Sequence, residues 1–200
     1  MSGSVQILDS LRDPESAKLL DSGAVGVIPT DTVYGIVCRA ADEAAVQRLY
    51  ALKNRQQKPG TVIAASIDQL VGLGIKARYL KAVQHYWPNP ISIVIPNHEL
   101  AYIHLGVGSI AVRLPADPEL QKLLSRTGPL LTTSVNHAGE PEAVNIRQAQ
   151  DYFGDKIDFY VDGGDLSDRL PSTVIRIVDD AVEILRPGAV NIKENGEIQP

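Results

Sequence analysis

The chain has 200 residues, 44% of them hydrophobic, with a formal net charge of −5. That is enough apolar material for a packed core and argues against disorder. The acidic balance argues against broad, nonspecific nucleic-acid binding, which rests on Lys and Arg neutralising phosphates.

In chain order, Asp13-Pro14 reads as the N-cap and first position of a helix that stops at Gly23. AVGVI (24–28) and YGIVCRA (34–40) read as buried strands. Asp42 caps a helix through EAAVQRLYALK, with Ala45, Leu49 and Leu52 on one face. GTVIAAS (60–66) reads as strand, DQLVGL as a short helix and IKARYLKAVQHYW as a longer one. ISIVI (91–95) and SIAVRL (109–114) are strands, and Asp117-Pro118 opens another helix. PLLTTS (129–134) is a strand, IRQAQDYF a helix and DFYVD (158–162) a strand. STVIRIV and AVEILR make a terminal strand pair. Helices do not separate every pair of strands, so the expected fold is α/β: a single domain with a twisted mixed β-sheet flanked by helices. One domain is expected over 1–200, with a core from about residue 10 to 190 and a polar tail over 191–200.

Cys38 is the only cysteine, so no intramolecular disulfide can form, and a reducing, cytoplasmic setting fits. In its apolar strand it reads as a small core residue rather than a nucleophile. MSGSVQILDS lacks a basic segment followed by an apolar one, so a signal peptide is not expected. No apolar run reaches the roughly 18 residues of a membrane span. There is no GxxxxGK[ST] or GxGxxG, and LGVGS (105–109) offers only a weak GxG with no helix after it. His85, His98, His104 and His137 lack metal-site spacing, and no protein-bound metal is expected.

Four stretches carry more chemistry. VIPTDTVYGIV (27–37) places two hydroxyls and a carboxylate between apolar runs, where a tight hairpin would want Asn-Gly or Asp-Gly. It is either a polar plug in a sheet or a site that grips a ligand. ALKNRQQKPG (51–60) puts Lys53, Arg55 and Lys58 on a loop at an element end. They suit a polyphosphate, or they form a solvated helix C-terminus where cations complement the dipole. LLTTSVNHAGEP (130–141) ends a buried strand in neutral hydrogen-bonding groups, either a turn or a seat for a small polar ligand. Arg113 stands between Val112 and Leu114. It faces solvent on an alternating strand, or points into a cleft toward a carboxylate.

Taken in order, these pieces resemble the YrdC/TsaC family of threonylcarbamoyl-AMP synthases. PTDTVYG (29–35) resembles that family's PT-[DE]-T-x-[YF]-G, LKNR (52–55) its K-x-R, and WPNPISIVI (87–95) its WPGPLTLVL. VRLP (112–115), TSVN with Gly139 and Pro141, PSTV (171–174) and LRPG (185–188) complete the set, from about residue 20 to 190. Gln56, Gly60 and Val135 depart from the usual proline, leucine and alanine, and TVIRI lacks an aspartate often found there. The extra C-terminal domain of longer members is not expected.

The resemblance implies condensation of L-threonine, bicarbonate and ATP into threonylcarbamoyl-AMP, with release of pyrophosphate, for threonylcarbamoyladenosine in tRNA. It implies Lys53, Arg55, Ser134 and Asn136 as catalytic and ATP-binding residues, with Arg186 on the nucleotide. It places Thr30, Thr32, Tyr34, Arg113, Thr132 and Ser172 on threonine. Mg2+ is expected through the ATP phosphates, with no organic cofactor. A weak tRNA contact and downstream threonylcarbamoyl-transfer proteins are the further partners. Alanine at Lys53 or Arg55 is expected to reduce turnover with little effect on stability, as for a loop cation. The competing readings are a YciO-like paralogue without synthase activity, an RNA-binding module, and a carbamoyl-handling domain of hydrogenase maturation. The intact K-x-R and S-x-N argue against the first, the acidic charge against the second and the missing zinc-finger cysteines against the third.

Overall fold

The structure is a computed structural model that describes residues 5–54, 58–179, 181–193 and 195–199. The strands are β1 (Gln6–Leu8), β2 (Gly26–Ile28), β3 (Gly35–Arg39), β4 (Thr61–Ile63), β5 (Ile91–Pro96), β6 (Ser109–Arg113), β7 (Leu130–Ser134), β8 (Phe159–Val161), β9 (Thr173–Val178) and β10 (Ala181–Arg186). The helices are α1 (Pro14–Asp21), α2 (Glu43–Leu52), α3 (Ile67–Gly72), α4 (Ala77–Val83), α5 (Ala101–His104), α6 (Pro118–Thr127) and α7 (Ile146–Phe153).

The helix starts follow the cap chemistry in the sequence. The Asp13, Asp42 and Asp117 carboxylates accept from the backbone N–H groups of Glu15, Ala45 and Leu120, and Pro14 and Pro118 occupy the first helical turn. Ser66 and Asn145 cap α3 and α7 in the same way. β1 and the single turn α5 carry no comparable signal. The long helix expected across IKARYLKAVQHYW ends at Val83 and continues as a 3-10 turn over Gln84–Tyr86.

Among the described residues the strands form one sheet in the order β1-β8-β2-β3-β7-β4-β6-β5-β9-β10. β1, β2 and β8 pair in parallel, as do β4 with β6 and β5 with β9, whereas β3, β7 and β10 pair antiparallel. The sheet is therefore mixed, as expected. Alternate residues of each strand serve opposite faces. Ile36, Cys38, Val62 and Leu131 pack with Val46 and Leu49 of α2, Leu70 of α3, Leu80 of α4, Ile103 of α5 and Phe153 of α7. Val37, Ile63 and Leu130 pack on the other side with Leu20 of α1 and Leu120, Leu123 and Leu124 of α6. Trp87 and Cys38 are core residues. In the polar C-terminal stretch, Ile192 is buried and bridges to Ile198.

α1 and α6 cover only part of their face. Thr132 of β7, Thr61 of β4, Ala111 of β6 and Val94 of β5 lie side by side in register on it. Small and short side chains in that row leave a floor on which a cleft opens.

Candidate active site

The cleft holds about 300 Å3 and is walled by the TDT bend, the ends of β6 and β7, and the segments around Ser172 and Arg186. Glycines admit the close approaches. A Cβ on Gly35 would sit 2.4 Å from Thr132 Oγ1, and one on Gly60 2.5 Å from the Thr132 carbonyl. Gly60, where the related pattern has leucine, thus lets the loop before β4 lie against β7. A Cβ on Gly188 would sit 2.3 Å from the Pro171 carbonyl, so LRPG is the segment that packs backbone-to-backbone on PSTV.

The TDT bend is a pinned turn. Thr30 Oγ1 donates to the Val33 carbonyl at 2.6 Å and accepts from the Thr32 N–H at 3.1 Å. The Thr30 proton being committed there, the 3.0 Å contact between the two hydroxyls has Thr32 as donor. Thr32 Oγ1 keeps acceptor capacity on the cleft wall. Arg169 donates to the Thr30 carbonyl from the far side. Tyr34 lines the cleft, but its hydroxyl donates to the Gly164 carbonyl and accepts from the Gly163 N–H. Burial raises its pKa. What Tyr34 offers a ligand is a ring edge or face.

Arg113 is buried, 4% exposed at its side chain, and points into the cleft rather than into solvent. The carboxylate beside it is that of Asp31, 3.1 Å from Nη2 and itself 6% exposed. Burial pushes the guanidinium's pKa down, the Asp31 charge opposes that, and Arg186 adds to it. Thr132 is also in the wall. Ser172 Oγ lies 2.9 Å from Ser92 Oγ, and Arg186 donates to both the carbonyl and the hydroxyl of Ser172.

A second hollow, lined by Lys53, Asn54, Lys58, Ser134, Asn136 and Gly139, adjoins the first at Ser134. Lys53 follows the last residue of α2, as expected, but it is buried. It is the C-cap of α2, 6% exposed, and its Nζ donates to the carbonyls of Ser134 and Asn136 and to Asn136 Oδ1. Ser134 Oγ donates to the same Oδ1, and the Asn136 amide donates to the Glu140 carbonyl. These bonds argue against the expectation that losing Lys53 has little effect on stability, because helix α2 is tied to the end of β7 through this ammonium. Arg55 lies outside the described residues.

Thr30, Thr32, Tyr34, Arg113, Thr132, Ser134, Ser172 and Arg186 thus meet in one cleft, with Lys53 and Asn136 in the hollow beside it. Asp31, Glu142, Ser92 and Val107 complete the surroundings and were not singled out from sequence. Asp31 was legible only as a carboxylate in an odd bend. Val107 belongs to the LGVGS loop, whose positive φ angles at Leu105, Gly106 and Gly108 turn it over the cleft edge. Among the described residues no group of three His, Cys, Asp or Glu could hold a metal ion.

Fold and cleft together define a mixed α/β domain with a buried Arg113–Asp31 pair in one cleft and a hollow around Lys53 and Asn136 beside it. Residues 18–188 match the Sua5/YciO/YrdC family, whose description reads "Telomere recombination", and the chain belongs to that family. It is 35% identical over 186 residues to the threonylcarbamoyl-AMP synthase of Pseudomonas aeruginosa strain UCBPP-PA14, covering 90% of this chain and 100% of that one. P. abyssi Sua5 complexed with L-threonine superposes with a TM-score of 0.80 at 29% identity, over 92% of this chain and 58% of that one. The chain therefore spans little more than half of that archaeal protein. E. coli YciO shares the fold, with a TM-score of 0.79 at 21% identity over 97% of this chain and 99% of that one.

Proposed function

We propose that this chain is an L-threonylcarbamoyladenylate synthase, a nucleotidyltransferase acting on L-threonine, bicarbonate and ATP. The observation that carries the reading is the meeting of a buried, cleft-facing Arg113 with a hydroxyl-lined bend on one side and a Lys53–Ser134–Asn136 hollow on the other. The identity to a named synthase over its whole length supports the same assignment.

In this reading Arg113 takes the threonine carboxylate as a fork. Thr32 Oγ1 accepts from the amino or hydroxyl group, and Tyr34 and Thr132 shape the pocket with Thr30 and Ser172 behind them. The threonine amine forms a bond to the carbon of CO2 with loss of a proton, or to that of bicarbonate with loss of water, and in either case gives a carbamate. The carbamate oxygen then attacks the α-phosphorus of ATP, and the bond to the β-phosphate breaks to release pyrophosphate. Both reactants are anions, so the protein's share is positioning and charge neutralisation. Lys53, Arg55, Ser134, Asn136 and Arg186 supply that at the phosphate side. The apolar strip of Val94, Val107 and Val174 fits a flat ring such as adenine. The donor set suits Mg2+ carried on the phosphates, where the ion adds charge neutralisation. A cytoplasmic setting, a weak tRNA contact and transfer proteins that use the product complete the proposal. Among the described residues no helix is long and apolar enough to cross a membrane.

Pyrophosphate release from ATP, measured with and without threonine and bicarbonate, tests the reading. Release should require both. Equal release from ATP alone would make the chain a nucleotide hydrolase and overturn it.

A further inference from the structure

Asp31 and Arg113 form a buried pair with unusual bonding. Both side chains are more than nine-tenths buried and their charged atoms lie 3.1 Å apart. Yet neither Asp31 oxygen nor Arg113 Nε has an aligned hydrogen-bond partner among the described residues. Arg113 lines the cleft together with Thr30 and Thr32, whereas Asp31 does not. The carboxylate meets the guanidinium at Nη2, and the remaining N–H groups of the fork are left for a ligand.

We propose that Asp31 is the positioning residue that holds the Arg113 fork toward the amino-acid end of the cleft. This rests on the reading of Arg113 as the carboxylate-binding group. A lone guanidinium in an apolar strand is costly to bury and tends to move toward water. Arg186 makes that worse, because its charge acts on Arg113 with the same sign. Asp31 cancels the excess and stands on a bend fixed by the Thr30 bonds to Val33 and Thr32 and by Arg169. Arg113 stands at the end of β6, paired with Ile63 of β4. Two rigid elements thus set the aim of one flexible side chain. A guanidinium has five N–H donors in a planar fork, so one carboxylate at Nη2 leaves room for a second. Threonine enters as a zwitterion and brings its own counter-charge, so the balance of the buried pair is kept on binding.

The test is isothermal titration of L-threonine and of ATP against wild type, Asp31→Asn, Asp31→Glu, Arg113→Lys and the Asp31→Asn/Arg113→Lys double variant, with thermal unfolding of each. Asp31→Asn should weaken threonine about tenfold or more, and Asp31→Glu, which keeps the charge, should weaken it less. ATP affinity should stay within about twofold. The double variant should bind threonine about as weakly as Arg113→Lys alone, since Asp31 acts through Arg113. Threonine affinity within about twofold of wild type in folded Asp31→Asn, or losses that multiply in the double variant, would overturn the proposal. If Asp31→Asn does not fold, Asp31→Ser, measured in the same way, decides: threonine affinity within about twofold of wild type overturns the proposal, and a loss of about tenfold at constant ATP affinity supports it. A wild type that binds no threonine would instead refute the assignment of Arg113, and with it the proposed function.

Discussion

Replacing Lys53 by methionine keeps the aliphatic stem buried and removes only the ammonium. Three acceptors then lose a charged donor: the carbonyls of Ser134 and Asn136 and the Asn136 side-chain oxygen. A hydrogen bond to a charged group contributes about 1.5–3 kcal/mol. The three share one ammonium and face a hollow that water can enter, so the total falls far short of three full bonds. A loss of about 2–3 kcal/mol is expected, or roughly 4–12 °C in a chain of this size. Thermal and urea unfolding of Lys53→Met measure it, alongside pyrophosphate release by the folded fraction. Both stability and turnover should fall. A melting temperature within about 1 °C of wild type would refute the role of Lys53 as a strut between α2 and β7 and leave it serving the ligand alone.

Gly60→Ala should lower stability by about 1–3 kcal/mol, because its Cβ would meet the Thr132 carbonyl at 2.5 Å; an unchanged melting curve would mean that the loop before β4 shifts freely. Gly188→Ala should loosen Ser172 and Arg186 together, since its Cβ would lie 2.3 Å from the Pro171 carbonyl; it should raise the KM for ATP as well as lower the melting temperature. Asp158 is opposed by burial, yet its bonds to Arg48 and the Val25 N–H, with the Arg48 charge, hold its pKa below the usual carboxylate value. Its stabilisation is therefore full above the unfolded carboxylate pKa of about 3.9 and is lost as pH falls through the lower folded value. The stability gap between wild type and Asp158→Asn should be constant from about pH 7 to 5 and shrink below about pH 4; a gap that widens on acidification would contradict the shift.

Local signals carried most of the fold. The Asp-Pro starts at residues 13 and 117 and the apolar strands were legible because cap chemistry and β-branched runs act within a few residues. β1 was not, because a strand of three residues is set by its partner β8 rather than by its own composition. Strand order was also out of reach, since the pairing of β4 with both β6 and β7 depends on contacts far apart in the chain. At the site, Arg113 stood out because a guanidinium in an apolar strand needs a reason. Its partner Asp31 did not, because 82 residues separate them in sequence and only the folded sheet brings them together. Lys53 was legible as a cation just past a helix end, where it does lie, but its burial was not, because that arises from the turn after β7 and not from its own neighbours.

The most direct measurement is the mass of the product formed from ATP, L-threonine and carbon-13 bicarbonate. One adenylate that carries the whole threonine and a single labelled carbon is expected, made in equal amount to pyrophosphate and lost when Arg113 is replaced. An adenylate of threonine without the labelled carbon, or ATP consumption with no adenylate at all, would contradict that expectation.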